Sequence, residues 1–153
     1  LLRMLAGHTG WINDMTAYGT MLITASWDKT IRIWDGETLL CKKILTGHKE
    51  IINMIAIHED RLFSYSENEK CIKVWDLKSF ICIKDIDLSS FWDNSNMNGS
   101  FMGIYAGELM FLRVKNKVLF FDIKSFELKK IVPWHEDGGT GSKIYAVLIN
   151  DCF

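Results

Sequence analysis

The chain has 153 residues, 48% apolar and 24% charged, with 18 basic side chains against 19 acidic and a net charge of −1. That is the length and make-up of about one globular domain, which excludes wholesale disorder, a collagen helix and a coiled coil. No apolar run approaches the roughly 18–20 residues of a membrane-spanning helix, and no basic stripe points to a phosphate backbone. Residues 1–7 carry no initiator Met, long apolar stretch or cleavage site, so neither an intact signal peptide nor a natural start is expected there. Cys41, Cys71, Cys82 and Cys152 form no C-x-x-C pair, which favours free thiols in a reducing compartment over a disulfide framework or a zinc site. Aromatics make up 12%, with six Trp and a single Pro, and Gly, Asn and Asp punctuate stretches of strand formers.

In chain order, residues 3–5 read as the last strand of a preceding unit. Four strands follow at 11–18, 21–26, 30–34 and 39–45, separated by the turn pairs Gly19-Thr20, Asp28-Lys29 and Asp35-Gly36. A second set is expected at 51–57, 61–66, 71–75 and 80–86, and a third at 100–106, 109–114, 117–121 and 126–132. A strand at 143–149 opens a fourth. No segment sustains a helical period. The sets are copies of one another: Gly7-His8 returns as Gly47-His48 after 40 residues, and Ile31-Arg32-Ile33-Trp34-Asp35 returns as Ile72-Lys73-Val74-Trp75-Asp76 after 41. Cys41 recurs as Cys82. Val118-Leu119-Phe120-Phe121-Asp122 is a weaker third copy with Phe121 in place of Trp.

A Gly-His near the unit start, a Ser/Thr-x-Ser-x-Asp turn and a Trp-Asp closing an apolar strand resemble the WD repeats of a β-propeller. The resemblance is strong over 7–45, good over 47–86 and weak over 100–132. It implies an all-β fold of four-stranded antiparallel blades set radially about a channel. The units then read as a trailing strand (1–6), blades at 7–46 and 47–87, a divergent blade at 88–133 and the start of another at 134–153. At about 40–45 residues per blade, 153 residues do not close a ring. An incomplete propeller is expected, with the remaining blades supplied by a longer chain or by another one.

The resemblance also implies a buried hydrogen-bond network. His8 would bond Thr24 or Ser26 and the carboxylate of Asp28, with the Trp34 indole completing the chain. In the second unit His48, Ser64 or Ser66, and Trp75 are present. The turn there is one residue longer, so Asn68 or Glu69 must stand in for Asp. The third unit lacks all three types, and Phe101, Phe111, Phe120 and Phe121 are expected to replace the network by apolar packing.

Catalysis has little support. His8 and His48 occupy equivalent repeat positions, as structural residues would. His58 and His135 have no metal-ligand spacing, so no metal and no cofactor are expected. The run Gly138-Gly139-Thr140-Gly141-Ser142-Lys143 fails as a phosphate loop, because Ser precedes Lys and a strand follows. Propeller partners usually dock on the loops entering each first strand and on the second-to-third-strand turns. On that face stand Trp11, Asn13, Trp27, Lys49, Glu50 and Glu67, with Phe91 and Trp92 in the polar insertion 88–99 either anchoring it or touching a partner. Trp11 and Trp27 stand out, since exposed aromatics are frequent interface hot spots. The expected function is a non-catalytic protein–protein interaction scaffold in an intracellular complex, cytoplasmic or nuclear, with proteins or peptides as partners and neither nucleic acid nor membrane. The rivals are a substrate-recognition propeller of a ubiquitin ligase or zinc-finger/WD-repeat protein, and an RNA-associated propeller of ribosome assembly or mRNA processing.

Overall fold

The computed structural model describes residues 4–91, 101–105, 107–114 and 117–133. Twelve strands run through them: β1 (Ile12–Tyr18), β2 (Met21–Ser26), β3 (Ile31–Asp35), β4 (Cys41–Leu45), β5 (Met54–His58), β6 (Arg61–Ser66), β7 (Cys71–Asp76), β8 (Ile81–Asp87), β9 (Phe101–Tyr105), β10 (Leu109–Val114), β11 (Lys117–Asp122) and β12 (Leu128–Pro133). They form three four-stranded antiparallel sheets, each ordered as in the chain: β1-β2-β3-β4, β5-β6-β7-β8 and β9-β10-β11-β12. Neighbouring sheets approach through their first strands, β1 beside β5 and β5 beside β9, and no closed ring forms among the described residues. The strand expected at 143–149, Trp92 and most of its insertion, and the segment from Trp134 onward lie outside those residues.

Most strand ends shift by one or two residues from the sequence expectation, and two differences are larger. Met4 and Leu5 lie in no strand, against the trailing strand expected there. Residues 51–53 precede β5: Ile52 N–H turns to Ser26 O of the first sheet at 3.2 Å, and the pairing with β6 begins as Asn53 N–H bonds Tyr65 O at 2.8 Å.

The last hairpin of every sheet is built the same way. The carboxylates of Asp35, Asp76 and Asp122 accept backbone amides two and three residues on, from Glu37 and Thr38, Lys78 and Ser79, and Lys124 and Ser125. Leu39, Phe80 and Phe126 then take φ of 61°, 59° and 61°, and each returns its N–H to the carbonyl of that Asp at 2.7–2.8 Å. A left-handed non-glycine residue costs about 1–2 kcal/mol. Three or so hydrogen bonds at about 1 kcal/mol each offset it. Immediately upstream, a β-bulge between Ile33/Trp34, Val74/Trp75 and Phe120/Phe121 turns each third strand.

Side-chain alternation then places the cores between the sheets. Ile23, Ala25, Ile31, Ile33 and Leu45 of the first sheet pack on Ile55, Leu62 and Trp75 of the second, with Ile52 and Leu77 from its loops. The opposite face of the second sheet, with Phe63, Tyr65, Ile72 and Val74, packs on Met110, Leu112, Leu119 and Phe121 of the third. Burying each such side chain contributes about 1.5–3 kcal/mol. Polar ties cross the same seams: Asn13 Nδ2 donates to Ile52 O at 2.9 Å, Ile55 N–H to Asp14 at 2.9 Å, the Tyr18 hydroxyl to Asp60, and Arg61 to Ile123 O at 3.2 Å.

Candidate functional site

The antiparallel register decides which side chains can meet beneath the entry loops. Leu22 stands opposite Trp34 and Thr24 opposite Arg32, so Trp34 and Thr24 share one face of the first sheet. His8 reaches that face from the entry loop. Its Nε2 lies 2.7 Å from Thr24 Oγ1 and its Nδ1 2.7 Å from Asp28 Oδ2, while Trp34 Nε1 lies 2.8 Å from Thr24 Oγ1. An indole N–H only donates, so Thr24 accepts from Trp34 and passes its own proton toward His8 Nε2. His8 then donates from Nδ1 to Asp28. Burial raises the Asp28 carboxyl, but hydrogen bonds from Thr30, His8 and the Thr9 amide outweigh this and hold it well below the usual carboxylate range. Ser26 is outside the relay: its Oγ lies next to the turn and takes the Asp28 amide at 3.1 Å.

The second sheet repeats the arrangement with different groups. His48 Nε2 lies 2.7 Å from Ser64 Oγ, Trp75 Nε1 2.8 Å from the same oxygen, and His48 Nδ1 2.6 Å from Glu69 Oε2. Of the two residues left open for the acidic end, the structure brings Glu69. The longer turn displaces the carboxylate, and the extra methylene of Glu spans the gap. Ser66 again stays at the turn, accepting the Glu69 amide at 3.4 Å. In the third sheet Leu112 and Phe121 stand where Thr24 and Trp34 stand in the first, both buried. Replacing the partners together by apolar groups leaves nothing unpaired.

Burial pushes the His48 imidazole below its ordinary pKa, with the Glu69 carboxylate opposing the shift. The unfolded chain therefore binds more protons than the folded chain just below the ordinary imidazole value of about 6.5. The stability contributed by the neutral imidazole is fully present above that value and declines as pH falls through it. His48→Gln is expected to flatten the pH dependence of unfolding between about pH 5 and 7. Denaturant titrations across that range check this, and a slope equal to that of the unsubstituted chain would remove His48 as the source.

The relay histidines are thus occupied on both nitrogens, and no cluster of three or more His, Cys, Asp or Glu able to hold a metal is found among the described residues. Two aromatic rings face solvent at this end. Trp11 is 73% exposed and Trp27 44%, with ring centroids 4.8 Å apart and planes inclined by 36°. Asn13 braces the pair, its Oδ1 accepting from Trp27 Nε1 at 2.7 Å and its Nδ2 donating to Ile52 O. Lys49 serves through its backbone, its N–H bonding Glu69 and its carbonyl accepting from Lys29 Nζ at 2.6 Å. Glu50 pairs with Lys29 at 3.5 Å. Glu67 is half-buried, its amide bonded to Asn53 Oδ1 at 2.8 Å. Phe91 closes the 3₁₀ turn Ser89–Phe91 and packs on the core between the second and third sheets, as an anchor does.

Three further groups were not singled out from sequence. Lys29 ties the β2–β3 turn to the entry loop of the second sheet. Asp14 and Asp60 tie the first sheet to the second. The turn carboxylates Asp35, Asp76 and Asp122 carry a legible signal in the recurring spacing Asp-x-x-Thr/Ser.

The family described as WD domain, G-beta repeat, matches residues 1–35. Cell division control protein 4 of Candida albicans is 34% identical over 85 residues, spanning 52% of this chain and 12% of that protein. Small ribosomal subunit protein RACK1 of Caenorhabditis elegans is 31% identical over 91 residues, spanning 50% and 28%. Pre-mRNA-splicing factor PRP46 of Candida albicans is 39% identical over 83 residues, spanning 51% and 21%. The chain thus spans well under a third of each of these relatives. The WD40 β-propeller domain of Doa1 superposes with a TM-score of 0.69 at 18% identity, covering 84% of this chain and 43% of that one, which is a likeness of fold.

Proposed function

Because the chain belongs to the WD-repeat β-propeller family, whose members generally act as non-enzymatic platforms for other proteins, we propose that it is part of such a platform and that the end carrying Trp11 and Trp27 docks a protein partner. The observation that carries this reading is the indole pair itself. A 73% exposed Trp in contact with a second exposed Trp leaves a large apolar surface in water, the kind of anchor that dominates binding interfaces. The relays beneath hold the loops that present it.

A second contact surface belongs to the same reading. On the face of the first sheet turned away from the second, Met15 is 57% and Ile44 43% exposed, whereas Ile55, the counterpart of Met15 in the second sheet, is 7% exposed beneath its neighbour. This face is shaped to receive another blade, from the same chain or a second one. A cytoplasmic or nuclear setting accords with the ribosomal and pre-mRNA-splicing names among the relatives, and no described helix is long and apolar enough to cross a membrane. The alternatives, substrate recognition in a ubiquitin ligase or RNA-associated assembly, use the same surface with different partners.

Trp11→Ala is expected to reduce capture of cellular protein partners by at least about tenfold while the thermal midpoint stays where it was. Affinity capture alongside a melting curve measures both. Undiminished capture would place partner binding elsewhere, and a collapsed midpoint would make the indole a structural residue.

A further inference from the structure

Resting on that reading of the loop end, we infer that the indole pair takes a polyproline II segment of its partner, with Trp11 Nε1 donating to a backbone carbonyl of that segment. Most polar groups around the pair are already used. Trp27 Nε1 is bonded to Asn13 Oδ1, and the Asn13 amide to Ile52 O. Trp11 Nε1 has no partner among the described residues. The surface therefore offers two apolar ring faces and one unused neutral donor.

It is also preformed. Gly10 packs so closely on the second turn that a Cβ there would lie 2.9 Å from Trp27 Cβ and 2.8 Å from the Asp28 amide, and the Trp27 amide bonds Trp11 O at 2.9 Å. Lys29, two residues from Trp27, is held by Lys49 O and Glu50.

Each class of peptide is then judged by its carbonyls. A helix spends them on its own amides. An added β-strand needs a row of main-chain donors, which two side-chain rings do not supply. A polyproline II segment has no internal hydrogen bonds, so its carbonyls are free, and its proline rings lie flat on aromatic faces. It is also stiff before binding, so little order is lost.

The test titrates an acetylated, amidated decaproline peptide into the isotope-labelled full chain while the Trp11 indole N–H resonance is followed. A saturable shift at that resonance is expected. Trp11→Phe keeps a ring face and removes the donor, and should weaken binding by about 2–10-fold. Trp11→Ala should weaken it further. A glycine-serine peptide of equal length should leave the resonance in place, and a lysine-rich peptide should bind less tightly than decaproline. An unmoved Trp11 resonance, an equal response to the glycine-serine peptide, full affinity in Trp11→Phe, or tighter binding of the lysine-rich peptide would each overturn the proposal. If decaproline fails while Trp11→Ala still loses its cellular partners, the peptide class is wrong and the docking surface stands. If both fail, the surface falls with it.

Discussion

Ser64→Ala is expected to destabilise the chain by about 2–4 kcal/mol, because one hydroxyl serves two buried neighbours. Trp75 Nε1 and His48 Nε2 converge on Ser64 Oγ at 2.8 and 2.7 Å, and neither has another partner in reach. Removing the hydroxyl orphans a donor and an acceptor together, at about 1–3 kcal/mol for each. Ser66→Ala is the control. Its hydroxyl accepts one long bond of 3.4 Å from the Glu69 amide, and its loss should cost less than about 1 kcal/mol. Denaturant midpoints of the two variants at one pH separate the cases. A Ser64→Ala cost as small as that of Ser66→Ala would mean that the relay is not an energetic unit.

Gly36→Leu should destabilise by about 2–3 kcal/mol, although leucine is what the next repeat carries at that place. Gly36, Leu77 and Ile123 are equivalent: their amides bond Thr20 O, Asp60 O and Glu108 O at 2.8–2.9 Å. Leu77 and Ile123 are 2% and 1% exposed core residues. At Gly36, however, a Cβ would lie 2.3 Å from Thr20 O. That obstacle is backbone, so the β1–β2 turn itself must shift. A raised thermal midpoint in Gly36→Leu would show that the first sheet can adopt the spacing of the other two.

The strand pattern was readable because every hairpin is local, and the WD-repeat resemblance placed His8, Asp28 and Trp34 in one network. The choice between Thr24 and Ser26, or Ser64 and Ser66, was not readable. It depends on β-register: only the residue two places along from the one opposite Trp presents its hydroxyl beneath the indole. Glu69 in the place of Asp28 follows from turn length combined with side-chain reach, which spacing alone leaves open. Asn13 illustrates a different limit. One amide both braces Trp27 and ties to Ile52 of the next unit, and a bond across 39 residues leaves no periodic trace. Phe91 could be weighed as anchor or contact from its polar surroundings, and only the placement of the core beneath it separates the two.

The replacement of Thr24 and Trp34 by Leu112 and Phe121 has a consequence for motion. Each sheet touches only its neighbours, so opening free energies approximate a sum of unit and seam contributions along a line. The second sheet is flanked by cores on both faces and holds a complete relay. The third has no His-hydroxyl-Trp relay joining its entry loop to its centre among the described residues. Amide hydrogen exchange should therefore be graded, slowest in β6 and β7 and faster in β9 and β10, with the third sheet opening as a separate cooperative unit.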